Sequence, residues 1–218
     1  MEKEIQKKIK TIVGSITIIV LVFLAYDASS YLTDDYQVNP VPYDRFDVVV
    51  LGDSITEGLG TSKGNDYVSL LRDHTGVKIR NSGIRNDESG DGLARLESDV
   101  LSYNPDIVLI FLGGNDFIHR VPKEETFSNL KEIITKLQDK DIAVLLVGVQ
   151  GGLFFDAYRP YFNELAEETE VFYIPNVLDG VIGKFKYMKD PLHPNDDGHM
   201  ILFERIAPEL DKLLEIYY

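Results

Sequence analysis

The sequence predicts an α/β fold, a three-layer α/β/α sandwich on a doubly wound, mainly parallel five-stranded sheet, preceded by one N-terminal hydrophobic helix. Three observations predict it. Short runs that are apolar on both faces recur along the chain, several closed by glycine. Longer segments between them repeat their apolar residues at helical spacing. The first 28 residues are a Lys-rich stretch followed by a charge-poor apolar one.

Asp47–Leu51 (DVVVL) is the first strand, closed by Gly52. Val77–Arg80 is the second, Ile107–Leu112 the third, Ile142–Val149 the fourth and Val171–Ile174 the fifth. Runs of this kind suit parallel strands covered on both sides by helices. Helices are expected near 65–75, 88–103, 123–139 and 157–169. In the third, Phe127, Leu130, Ile133, Ile134 and Leu137 share one face. A last helix near 196–216 carries Met200, Phe203, Ile206, Leu210 and Leu213. Asp196 or Asp197 is placed to cap it, and Pro208 is expected to break or kink it. Strand–helix units repeated about five times make a doubly wound sheet, in which ligands bind at the carboxyl ends of the strands.

The N-terminus is read apart from the fold. Residues 1–10 form a basic cytoplasmic end with Lys3, Lys7, Lys8 and Lys10; residues 11–28 are a transmembrane anchor or signal peptide. Residues 29–45, with Asn39-Pro40-Val41-Pro42, read as a short stiff tether, and 46–218 as one folded domain. The charge-free run Thr11–Tyr26 would span about 24 Å as a helix, against a bilayer core of about 30 Å. A cleaved leader wants small residues before the cut, yet cleavage after Ala25 or Ala28 puts Phe23 or Tyr26 at the third position back. An uncleaved anchor is therefore preferred, and under either reading the domain is exported.

Composition excludes several classes. A net charge of −14 argues against nucleic acid, which needs a basic face. The absence of cysteine removes disulfides, a thiolate nucleophile, a cysteine zinc site and a lipid-modified N-terminal cysteine. No metal and no cofactor is expected. The four histidines lack a His-Glu-x-x-His spacing, although His199, Asp196 and Asp197 lie near one another. GDSITEGLG lacks the ending of a phosphate loop, and Lys63 is followed by Gly64.

The chemistry sits at strand ends. Gly52-Asp53-Ser54-Ile55-Thr56-Glu57-Gly58 follows the first strand, and Asn81-Ser82-Gly83 the second. Gly113-Gly114-Asn115-Asp116 follows the third, and Asp190-Pro191-Leu192-His193-Pro194 lies near the C-terminus. Acyl transfer needs a hydroxyl nucleophile, a base and a group that orients the base. Ser54, His193 and Asp190 supply those types, with Asp190 three residues before the imidazole. The oxyanion needs donors, which the Ser54 and Gly83 N–H groups and the Asn115 side-chain amide can provide. Bland readings stand beside these: Ser54 as a helix cap, Gly83 as a turn glycine, Asn115-Asp116 as a turn cap, and Asp190–His193 as a structural pair.

GDSITEG, the glycine of NSG, GGND and DPLHP resemble, in order, the four blocks of the SGNH-hydrolase family, also called GDSL esterases/lipases. The likeness covers about residues 46–210. Gly92-Leu93-Ala94-Arg95-Leu96, LGGND and Tyr158…Phe162-Asn163-Glu164-Leu165-Ala166 resemble the bacterial acyl-thioesterase/arylesterase/lysophospholipase subgroup. The resemblance implies a flavodoxin-like fold, a Ser54 nucleophile, oxyanion donors Ser54, Gly83 and Asn115, base His193 and orienting Asp190. It implies hydrolysis of short or medium acyl esters, aryl esters, thioesters or lysophospholipids. Phe154, Phe155 and Tyr158, in a cluster with Tyr161 and Phe162, read equally as a substrate wall or as helix core. Two alternatives remain at this point: an envelope or extracellular polysaccharide deacetylase, and an inactive membrane-tethered binding module on the same scaffold.

Overall fold

In the computed structural model, residues 46–149 and 156–217 are described. The segments expected at 1–10, 11–28 and 29–45 lie outside them, as do Phe154 and Phe155. Among the described residues no helix is long and apolar enough to cross a membrane.

Five parallel strands form one sheet: β1 (Val48–Gly52), β2 (Ile79–Gly83), β3 (Ile107–Phe111), β4 (Ala143–Val147) and β5 (Phe172–Ile174). Their spatial order is β2-β1-β3-β4-β5. The chain builds outward from β1 to β2, then returns to the other side of β1. In doubly wound sheets ligands bind at such a reversal, here between the loops that leave β1 and β3. Register puts the last residues of three strands side by side, with Gly52 opposite both Gly83 and Phe111. Val48–Leu51 and Ile107–Leu112 are buried throughout, which is why these runs show no polar alternation.

Helices cover the sheet. α1 (Ser54–Glu57) follows β1, and α2 (Tyr67–Thr75) leads to β2. α3 (Ser89–Ala94) and α4 (Leu96–Asp99) connect β2 to β3. α5 (Gly114–His119) and α6 (Lys123–Gln138) connect β3 to β4, and α7 (Arg159–Thr169) precedes β5. α8 (Asp196–Tyr217) closes the chain. α2 packs on α8, and α6 packs on α3 and α7, giving the two outer layers of a three-layer sandwich.

Four local expectations change. The helix expected over 88–103 is broken at Arg95, whose side chain turns inward to the strand ends; beyond α4 a short 3₁₀ turn covers Leu101–Tyr103. β2 starts later than expected and includes Asn81-Ser82-Gly83. These polar residues fit because Ser82 Oγ donates to the Asp99 carbonyl and Asn81 Nδ2 to the Thr56 carbonyl. α8 runs on through Pro208. An interior proline costs about 3 kcal/mol, but Leu210 and Leu213 beyond it are fully buried, and each such burial returns about 1.5–3 kcal/mol. The cap of α8 is Asn195, whose Oδ1 accepts the Gly198 N–H at 3.1 Å, and not Asp196 or Asp197.

Candidate active site

Ser54 is the first residue of α1. It does not cap the helix, because Asp53 does: Asp53 Oδ1 accepts the Ile55 N–H at 3.0 Å. This frees the serine hydroxyl, and Ser54 Oγ lies 3.1 Å from His193 Nε2. The Ser54 N–H is a first-turn donor with no acceptor inside the helix.

His193 and Asp190 lie on one tight turn before α8. The ring Nδ1 is 2.8 Å from Asp190 Oδ2, and Asp190 Oδ1 also accepts the N–H groups of Leu192 and His193, each at 2.9 Å. Burial alone would raise the Asp190 carboxyl. The Leu192 N–H, the His193 ring and the His193 N–H together hold it below its ordinary range instead. The carboxylate is thus braced by the main chain before it meets the ring.

Two further contacts fix this turn against α1. Gly60 adopts φ +101°, and a Cβ there would lie 2.5 Å from the Pro194 carbonyl and 3.2 Å from His193 Cβ. Only glycine lets the loop after α1 pass this close beneath the histidine. Asp196 then pins the same loop, accepting from Ser62 N at 2.8 Å and Asn65 Nδ2 at 2.9 Å. Asp196 and His199, near one another in sequence with Asp197, thus bond to different partners. His199 is buried, with Nδ1 accepting the Tyr67 N–H at 3.2 Å. Burial pushes its imidazole down to about 4, so it is neutral. Tyr67 in turn bonds Thr56 Oγ1 of α1 at 2.8 Å.

Asn115 lies in the first turn of α5. Its Nδ2 donates one hydrogen to the Asp87 carbonyl at 3.0 Å, leaving the second for a ligand. α5 begins beside the serine turn, since a Cβ on Gly114 would be 3.5 Å from Asp53 Oδ2. Gly83 is placed differently from the expectation. Its N–H is donated to Asn81 Oδ1 at 2.9 Å. A Cβ there would meet the Glu57 nitrogen at 2.2 Å, so this glycine lets the end of β2 close onto the backbone of α1.

Arg95, within Gly92-Leu93-Ala94-Arg95-Leu96, has a role that the sequence pattern does not predict. Its guanidinium donates to the carbonyls of Gly52 (3.1 Å) and Ser82 (2.9 Å) and pairs with Asp87 at 2.6 Å and Asp99 at 3.2 Å. It ties the strand end that leads to Ser54 to the side chain of Asp87, whose carbonyl holds Asn115. The only prior signal was a cation between Leu93 and Leu96 in an otherwise apolar stretch.

An open cleft of about 780 Å³ lies beside the turn, lined by Phe117, Ile118, Tyr158, Ile182, Pro191 and Leu192, with Arg120 and Lys123 also at its wall. Pro191 and Leu192 are the two residues between Asp190 and His193. Tyr158 is buried edge-on against Phe117 and Phe127, while Phe162 is core against Phe127. His74 and His119 are exposed and pair with Asp211 and Glu88.

Comparison with known proteins shows this chain to be similar to esterases. The model of the GDSL-like lipase/acylhydrolase family matches residues 50–201. An arylesterase of Vibrio mimicus is 33% identical over 77% of this chain and 89% of its own. The thioesterase 1/protease 1/lysophospholipase L1 of Escherichia coli K12 is 28% identical over 77% of this chain and 84% of its own. The crystal structure of TesA superposes with a TM-score of 0.72 at 29% identity, covering 76% of this chain and 98% of that one.

Proposed function

Because this chain belongs to the GDSL-like lipase/acylhydrolase family and is an ester hydrolase, we propose that it cleaves carboxylic esters or thioesters through an acyl-enzyme on Ser54. The observation that carries the reading is the continuous bonded series Ser54 Oγ, His193 Nε2, His193 Nδ1, Asp190 Oδ2.

The steps follow from that series. His193 Nε2 takes the Ser54 proton as Oγ attacks the acyl carbon. The oxyanion forms against the Ser54 N–H and the second hydrogen of Asn115 Nδ2. Gly83 enters this scheme as the residue that brings β2 onto α1, since its own N–H is already donated. The tetrahedral intermediate collapses, the acyl–oxygen or acyl–sulfur bond breaks, and the proton on His193 passes to the leaving alkoxide or thiolate. Water then gives its proton to His193 and attacks the acyl-enzyme. The carboxylic acid departs as Ser54 regains its hydrogen. Asp190 keeps Nδ1 protonated and stabilises the imidazolium while charge is transferred. No step calls for a metal or cofactor.

The cleft supports a substrate class. Apolar side chains beside the base suit a short or medium acyl chain or an aryl group, and the relatives named arylesterase and lysophospholipase support that range. The basic stretch 1–10 and apolar stretch 11–28 support an exported domain held at a membrane. Comparing the mass of the mature protein with that of the full chain tests whether the leader is retained.

The mechanism is tested with p-nitrophenyl esters and acyl thioesters graded by chain length. Ser54→Ala should lose at least about 10³-fold in kcat and all labelling by a fluorophosphonate probe. Full turnover by that variant would rule the acyl-enzyme out.

A further inference from the structure

Among the described residues Phe185 is 98% exposed, far beyond the next large apolar side chain, Ile216 at 65%. Lone exposed apolar residues are common and need no explanation. This one stands among Lys184, Lys186 and Lys189, all exposed, in a chain whose net charge is −14. Lys131, Lys136 and Lys212 each pair with a glutamate; Lys184, Lys186 and Lys189 have no ion pair among the described residues. The acids of the same stretch are Asp179 and Asp190, and Asp190 is taken up by His193.

The turn that carries Phe185 is built, not frayed. Asn195 Nδ2 donates to the Lys186 carbonyl and the Asn195 N–H to the Tyr187 carbonyl, both at 2.9 Å. The Lys189 N–H donates to the His193 carbonyl at 2.8 Å. The same segment supplies Ile182 and Gly183 to the cleft, whose wall also holds Arg120 and Lys123. Ile118 and Leu192 of the cleft are themselves 42% and 40% exposed. An exposed aromatic thus projects from a braced, lysine-flanked turn at the rim of an apolar cleft. That pattern matches the requirements of an interfacial anchor: one apolar side chain to enter the headgroup region and cations to meet anionic lipid.

We propose that Phe185, flanked by Lys184, Lys186 and Lys189, docks this end of the sheet on an anionic phospholipid surface, so that the cleft opens toward the lipid. The docking is independent of the chemistry at Ser54, because it needs no turnover to be seen.

The chain contains no tryptophan, so Phe185→Trp in the full chain makes a single reporter at this one position, whatever the N-terminal segment does. Vesicles of phosphatidylglycerol and phosphatidylcholine in equal parts should shift its emission to the blue, and brominated lipid should quench it. Pure phosphatidylcholine should give a smaller shift. Added salt should weaken the first effect, since screening acts over about 10 Å at 0.1 M. Adding Lys184→Glu and Lys186→Glu should raise the anionic lipid concentration for half-maximal blue shift by roughly fivefold per lysine, with turnover of soluble esters unchanged. No shift with anionic vesicles, an equal shift with neutral ones, or indifference to the charge reversals would each overturn the proposal.

Discussion

His193 Nε2 lies 3.1 Å from Ser54 Oγ although the two residues are 139 positions apart in sequence. The contact exists because α1 begins at the end of β1 while the Asp190–His193 turn is fastened to the loop after α1 through Gly60 and Asp196. The imidazole reaches the serine from a turn whose direction is set by Asp190, which accepts two main-chain N–H groups and the ring.

That bracing makes Asp190 the residue whose loss separates binding from catalysis. Asp190→Asn keeps the shape of the turn, but its amide can donate to Nδ1 and so favour the wrong tautomer. The expected result is a fall in kcat of about 10²–10⁴-fold with KM nearly unchanged. Steady-state kinetics on a soluble p-nitrophenyl ester measures it. A variant that lost KM and kept kcat would show Asp190 to serve only the shape of the cleft.

The parts of this site that sequence made legible are those encoded over short spans. Asp190 and His193 are three residues apart, and Ser54 directly follows an apolar run, so strand ends and spacing revealed them. Gly83 was legible as a required glycine, but the reason lay in its approach to Glu57 of α1 and in its bond to Asn81 within β2. Arg95 could not be recognised because Leu93 and Leu96 around it keep helical spacing, while the backbone breaks to let the guanidinium turn inward. Pro208 misled for a related reason: local propensity favoured a break, and the buried face of α8 outweighed it. What local pattern concealed in each case was a tertiary partner.

Arg95 carries the next prediction. It is nearly buried, with 12% of its side chain accessible, against an Asp87 side chain at 10%. Arg95→Leu would leave Asp87 without its partner and take one donor each from the Ser82 and Gly52 carbonyls, the latter keeping the Ile84 N–H. Breaking a buried pair in this way costs about 3–5 kcal/mol. In a domain of this size that lowers Tm by about 6–20 °C. Arg95→Lys retains the charge but not the planar fork that reaches four acceptors, so it should fall between. Thermal unfolding followed by circular dichroism measures both. Equal Tm values for wild type and Arg95→Leu would show that water replaces the guanidinium at no cost.

Asp53 should set the stability of the protein against pH. It is 5% exposed, and burial pushes its carboxyl up to about 7; the Ile55 N–H opposes the rise, while the charges of Asp87 and Asp116 add to it. The folded chain therefore holds this proton more tightly than the unfolded chain, whose carboxyl titrates near 3.8. The stabilisation is complete below that value and is lost as pH rises through about 7. Across the interval the single group removes up to roughly 4 kcal/mol. Asp53→Asn keeps an acceptor for the Ile55 N–H and stays neutral throughout. Between pH 5 and pH 8 the wild type should lose about 2–3 kcal/mol more than this variant, read from urea unfolding at the two values. Parallel losses would mean that Asp53 is ionised in the folded protein at both, and that its carboxylate finds more compensation beside Ser54 than the Ile55 N–H alone provides.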